Sequence, residues 1–129
     1  MVVHISKVLS GGWAYFEEDI RALVDITHQA SQKVKMIFEN CYLNTKQKIR
    51  LCQICTGLGA DWVKTSTGYR TSGSTDEDLK LMGENTAPHI QVKAAGGIRD
   101  LDALLRVRAL GVTRVGAIAA AQPTSPAGY

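Results

Sequence analysis

Five short apolar runs, spaced by helix-length stretches, constrain the fold of this chain more than any other feature. They are Met1–Ile5 (MVVHI), Val34–Phe38 (VKMIF), Ala60–Thr65 (ADWVKT), Ile90–Ala94 (IQVKA) and Thr113–Ala117 (TRVGA). Runs this short and rich in Val or Ile suit strands buried on both faces of a parallel sheet. The stretches between them read as helices. Over Glu17–Ser31, the residues Ile20, Leu23, Val24, Ile26 and Thr27 form a stripe of helical period, and Glu17, Glu18 and Asp19 complement the dipole of the first turn. Thr45–Leu58 carries Ile49, Cys52, Ile54 and Cys55 and meets stop signals at Gly57 and Gly59. Thr75 with Asp78 forms a weak capping box for a helix through Met82, and Asp100 caps Leu101–Leu110 ahead of Gly111.

Strict alternation of strand and helix implies the α/β class, with parallel strands joined by right-handed crossovers. Two architectures satisfy it, an open doubly wound sheet and part of a TIM (βα)8 barrel. A whole barrel takes ~250 residues, and this chain has 129. An open sheet of the flavodoxin kind would place a phosphate loop directly after its first strand, whereas Ser6–Gly12 has glycines but enters the helix late. The folded unit is expected over residues 1–121, followed by a frayed tail, Gln122–Tyr129, with two prolines.

Composition narrows the function classes. Fifteen basic residues against twelve acidic give a net charge of +3 with no Lys/Arg run, which argues against nucleic acid as a partner. No apolar stretch approaches the ~20 residues of a membrane span, and MVVHISKVLSGG lacks the parts of a secretory signal. Three cysteines do not make a disulfide framework and suit a reducing cytoplasm. Cys52 and Cys55 have CxxC spacing, but mid-helix and without a second pair, so they read as small core residues and no metal site is expected. His4, His28 and His89 show no ligand spacing; His28 reads as a solvated helix residue, and His4 as a candidate for the strand-end face.

Two lysines stand where a lysine is costly. Lys64 and Lys93 each close an apolar run, and each precedes a loop of small residues, Thr65-Ser66-Thr67-Gly68 and Ala94-Ala95-Gly96-Gly97. A desolvated lysine beside a second cation has a lowered pKa, so its neutral amine can attack a carbonyl. A lysine that snorkels to solvent or pairs with a carboxylate is the bland alternative, and it weakens when two lysines share neighbouring strands. The pleat puts Trp62 on the same side as Lys64, which makes it a candidate for a barrel interior.

The two segments Asp61–Gly68 (DWVKTSTG) and Val92–Arg99 (VKAAGGIR) resemble the signature strands of deoxyribose-phosphate aldolase, a class I (Schiff-base) aldolase on a TIM barrel. The resemblance runs in order along nearly all of residues 1–121. Met1–Ile5 is similar to the family's fourth strand, Leu9–Trp13 to the loop after it, Val34–Glu39 to its fifth strand, Gly73–Met82 to the helix after its sixth, and Arg114–Ala117 to its eighth. The resemblance implies reversible aldol cleavage of 2-deoxyribose 5-phosphate to glyceraldehyde 3-phosphate and acetaldehyde, without a cofactor. Lys64 would form the Schiff base, Lys93 would hold down its pKa, and Lys35 would be a third lysine near the substrate. Gly68, Gly96, Gly97 and Arg99 would bind the phosphate, consistent with the anion affinity of a Gly-Gly turn ahead of a helix.

The departures also carry expectations. The chain begins at the Met of the family's usual Asp-Met-Val-Val-Asn strand, so the proton-relay aspartate and the first three strands have no counterpart here, and His4 replaces Asn. Ile118 and Ala119 stand where the family offers hydroxyls to the phosphate, which predicts weak phosphate binding. The resemblance therefore points to the C-terminal half of a barrel, with five strands, four helices and an exposed apolar face. Such a face implies a homodimer or higher homo-oligomer, closed through that face or the sheet edges. An inactive half-barrel that folds only by self-association is the competing reading. Lys64 is expected to be the most strongly shifted ionisable group, and His4 and Glu39 are candidates to stand in for the aspartate.

Overall fold

The computed structural model describes residues 1–70 and 72–117. The expectations for Ile118, Ala119 and the tail Gln122–Tyr129 lie outside the described residues.

Helices and strands alternate in the order α1 (Ile5–Leu9), α2 (Trp13–Gln29), β1 (Lys35–Ile37), α3 (Thr45–Leu58), β2 (Trp62–Lys64), α4 (Asp76–Asn85), β3 (Gln91–Ala95), α5 (Leu101–Ala109) and β4 (Arg114–Gly116), with a 3-10 turn at Asn40–Tyr42. The four strands form one sheet in chain order, every pair parallel. Lys35 pairs with Trp62 and Trp62 with Gln91; two residues on, Ile37 pairs with Lys64 and Lys64 with Lys93, which in turn pairs with Arg114.

Capping explains most helix ends. Asn44 and Gln47 form a reciprocal capping box at α3, and Gly59 closes that helix in the left-handed region, φ +74°. Thr75 Oγ1 accepts the Asp78 N–H at 3.1 Å. The Asp78 carboxylate completes no box and instead takes Lys48 Nζ at 2.7 Å. Asp100 accepts the Ala103 N–H at 2.7 Å, as its position before Leu101 predicts.

The helices cover one face of the sheet. Met36, Val63, Val92 and Ala94 point into a single core with Phe16 and Ile20 of α2, Leu51 and Cys55 of α3, Leu79 and Met82 of α4, and Val107 of α5. Cys52 and Cys55 are buried free thiols, as their helix position predicts.

Four expectations need correction. The run Met1–Ile5 is not a full strand: it pairs beside β1 through one bridge, Val2 opposite Ile37, with Ile37 N–H on the Met1 carbonyl at 2.8 Å and Val3 N–H on the Ile37 carbonyl at 2.9 Å. His4 then turns the chain into α1, its carbonyl accepting the N–H groups of Lys7 and Val8, so that Val8 reaches the core and Ile5 is helical. The second helix starts at Trp13 rather than Glu17, because Phe16 belongs to its buried stripe with Ile20 and Val24, while Ile26 is 64% exposed. His28 is not merely solvated. Its Nε2 lies 2.9 Å from Asp61 Oδ2, which also accepts the Val34 N–H at 2.8 Å and so ties α2 to the start of β1.

The fourth correction bears on function. Strands buried on both faces predict an apolar open face, yet alternate positions bring Lys35, Trp62, Lys64, Gln91, Lys93 and Arg114 to that side. The open face is cationic. Trp62 is kept buried there by the Arg114 guanidinium, 4.3 Å above its ring centroid.

Candidate active site

Lys64 ends β2 and Lys93 lies opposite it in β3, so the sheet register alone places both amines on the open face, one strand apart. Lys35, at the start of β1, sits on the same face two residues lower. Three half-buried lysines therefore share a surface with Arg114. Burial first, and then the Lys93 charge, hold the Lys64 amine below its ordinary range, against a smaller upward pull from Glu39. Lys35 is lowered by burial, then by Lys93, Arg114 and Lys64. Lys64 is not the most strongly shifted group in the chain. The buried thiols move further, with Cys52 pushed up to about 12 by burial alone and Cys55 higher still. Those thiols are inert, whereas Lys64 gains a larger neutral fraction on an accessible face.

The loops after β2 and β3 lie at the carboxyl ends of the strands. Gly68, Gly96 and Gly97 all have positive φ, +97°, +83° and +82°, a region that L side chains rarely adopt. Gly96 crosses the β2–α4 loop closely: a Cβ on Gly96 would stand 2.8 Å from Gly73 Cα and 3.2 Å from Ser66 Oγ. Ser74 fixes this crossing, giving its N–H at 3.1 Å and its hydroxyl at 3.0 Å to the Gly96 carbonyl. Thr65 Oγ1 donates to the Ala95 carbonyl at 3.2 Å and accepts the Ala95 N–H at 3.1 Å, and Ser66 Oγ donates to the same carbonyl. Thus Gly96 is joined to the loop that carries Gly68, while Gly97 and the exposed Arg99 follow at the same end of β3. His4 instead precedes α1, with Nδ1 3.1 Å from Ser6 Oγ.

Sequence reasoning passed over Arg114 and the pair Gly73 and Ser74. Arg114 was recoverable, since strict alternation from the Lys93 register puts it on the open face. Gly73 was not, because its constraint comes from a backbone segment more than 20 residues away.

A parallel α/β layer thus brings two lysines and a pair of glycine-rich loops to one end of its strands, and its likeness is to aldolases. The chain is homologous to deoxyribose-phosphate aldolases over about nine-tenths of its length. It is 60% identical over 116 residues to the deoxyribose-phosphate aldolase of Rhodopirellula baltica, covering 90% of this chain and 48% of that protein. A solved structure described as QR15, an aldolase, superposes with a TM-score of 0.84 at 33% identity, covering 92% of this chain and 52% of that one. The tetrameric deoxyribose phosphate aldolase from Aeropyrum pernix gives a TM-score of 0.72 at 26% identity over 81% of this chain and 44% of its own. The chain thus spans about half the length of the relatives it matches. No protein-family model matches it.

Replacing Lys93 by Leu removes the cation facing Lys64 and raises the Lys64 pKa toward its ordinary value. Imine formation is therefore expected to need higher pH in Lys93→Leu than in the parent chain. Trapping rates measured across a pH series check this; superimposable profiles would remove Lys93 from the site.

Proposed function

We propose that this chain carries the Schiff-base side of a deoxyribose-phosphate aldolase site, acting in the reversible cleavage of 2-deoxyribose 5-phosphate to glyceraldehyde 3-phosphate and acetaldehyde. One observation supports it above the rest: Lys64 and Lys93 face each other on adjacent strands, beside a loop pair rich in positive-φ glycines. In this reading the neutral Lys64 amine adds to the sugar carbonyl and loses water. The resulting protonated imine takes up the electrons of the breaking carbon–carbon bond as an enamine while the neighbouring hydroxyl gives its proton to solvent, releasing the phosphorylated aldehyde. Protonation of the enamine carbon from solvent and hydrolysis of the imine then free acetaldehyde and return the amine. Lys93 keeps Lys64 neutral and Lys35 adds positive potential near the substrate. Gly68, Gly96, Gly97 and Arg99 take the phosphate. No cofactor is needed for this chemistry. A cytoplasmic setting fits the free buried thiols Cys52 and Cys55. Coupled detection of glyceraldehyde 3-phosphate released from 2-deoxyribose 5-phosphate tests the reading. A folded chain that releases none, alone or after self-association, would leave the inactive half-barrel.

The second reading, a module stabilised by self-association, draws on the coverage of half the relatives' length and on the tetramer of the Aeropyrum pernix protein. Like charges disfavour pairing through the open face, since two copies would oppose Lys35, Lys64, Lys93 and Arg114 to one another. Exposed Leu101 and Leu105, one turn apart on α5, offer a better contact. Analytical ultracentrifugation is expected to show an oligomer that Leu101→Glu with Leu105→Glu dissociates. An oligomer indifferent to both substitutions would exclude the α5 surface.

A further inference from the structure

Glu39 is an acidic residue buried at the carboxyl end of β1, 3% exposed, and its backbone is left-handed at φ +55°, ψ +61°. A non-glycine residue in this region stores strain that the surroundings must hold in place. Its neighbours show how. Phe38 N–H bonds the Lys64 carbonyl and Asn40 N–H the Thr65 carbonyl, each at 2.9 Å. Two residues on β1 thus advance against one on β2, so the chain bulges at Glu39. Bulges of this kind re-aim a side chain beside functional sites. The re-aimed carboxylate takes both donors of Thr67, the N–H on Oε1 at 3.1 Å and the hydroxyl on Oε2 at 2.6 Å. Two charge-assisted bonds offset the cost of burying it.

We propose that Glu39 is a positioning residue of the Lys64 site: through Thr67 it holds the Thr65–Gly68 segment across the end of the sheet, and it keeps a carboxylate at the strand end that carries Lys64. This rests on the aldolase reading above. The other charged groups facing Lys64 are cations, namely Lys35 of β1, Lys93 of β3, Arg114 of β4 and the Met1 amine. Glu39 is accordingly the counterweight to Lys93: one lowers the basicity of Lys64, the other restrains that effect. A mere structural plug would do the first job without the second.

The test is the pH profile of borohydride trapping with acetaldehyde on the full chain, with the adduct mapped by mass spectrometry. Glu39→Gln retains an oxygen for the Thr67 N–H but loses the charge, so its profile is expected to move to lower pH. Glu39→Ala loses both bonds and is expected to trap roughly ten- to a hundredfold less at every pH, the cost of misplacing a reacting group by about an ångström. Thr67→Ser, which keeps both donors, is expected to match the parent, and it serves with Glu39→Gln should the alanine variant fail to fold. A Glu39→Gln profile that superimposes on the parent, or a Thr67→Ser chain with lost trapping, would overturn the proposal alone. No adduct in the parent chain, or one mapped away from Lys64, would overturn the aldolase reading and this proposal with it.

Discussion

On the proposed aldolase function, a Lys64→Leu chain is expected to form no borohydride-stable adduct with acetaldehyde and to show no cleavage of 2-deoxyribose 5-phosphate. Removing a covalent nucleophile costs on the order of 10⁶ in rate when the residues around it act as a unit, so the residual signal should fall to background. The substitution is chosen to isolate chemistry from folding. Lys64 is half-buried on the open face, while its neighbour Val63 carries the core contacts on the other side of the strand. Leucine retains most of the side-chain volume beside Trp62, so no cavity opens there. The backbone bonds of the strand end, Phe38 N–H to the Lys64 carbonyl among them, are untouched. Lys35 and Lys93 remain as internal controls, since both are half-buried lysines on the same face. If either of them takes the adduct in the variant at the parent's rate, the nucleophile has been misassigned.

How much of the fold and site was legible in the sequence follows from the range of each signal. Side-chain facing within a strand depends only on a period of two, so the sequence by itself puts Trp62 and Lys64 on one side of β2. The bounds of α3 were equally local: Asn44 with Gln47 begins it, and Gly59 ends it. The first run misled because MVVHI is apolar in a way that suits either a strand or the approach to a helix, and only the single bridge at Val2 separates the two. The open face misled for another reason. Burial on both faces holds for parallel sheets covered by helices on both sides, and here the described helices pack on one. Alternate polar positions at Lys35, Gln91, Lys93 and Arg114 already carried that information. The roles proposed for the lysines came from the resemblance to the aldolase family rather than from their spacing. The bulge at Glu39 had no sequence signal, since a left-handed glutamate is written into the tertiary bonds of its neighbours.

Gly73→Ala is expected to destabilise the fold by about 3–5 kcal/mol, and Gly57→Ala to stabilise it by about 0.5–1 kcal/mol. Both replace a glycine by the same residue, and the structure predicts opposite signs. Gly57 lies on the exposed side of α3, and a methyl group there meets nothing within 4 Å. Alanine then gains helix propensity and narrows the unfolded ensemble. At Gly73 the methyl group would run into the backbone of Gly96, within 2.9 Å of its Cα and closer still to its carbonyl. Peptide groups cannot step aside as a flexible side chain does, so the two loops must separate. Separation breaks both bonds from Ser74 to the Gly96 carbonyl, at 3.1 and 3.0 Å. Those losses, at about 1 kcal/mol each, add to an overpacking cost of about 1–3 kcal/mol. Against a net stability of 5–15 kcal/mol the effect is large, and urea denaturation reads it as a lower midpoint at unchanged slope. The same displacement should reach the proposed phosphate site. In a trans peptide the carbonyl of Gly96 and the N–H of Gly97 point in opposite directions, so the grip of Ser74 on the carbonyl also aims the N–H. Phosphate titration of Gly73→Ala is therefore expected to show weaker binding than the parent even where the chain remains folded. Equal midpoints for the two variants would mean that the loops do not cross as closely as Gly73 and Gly96 do here.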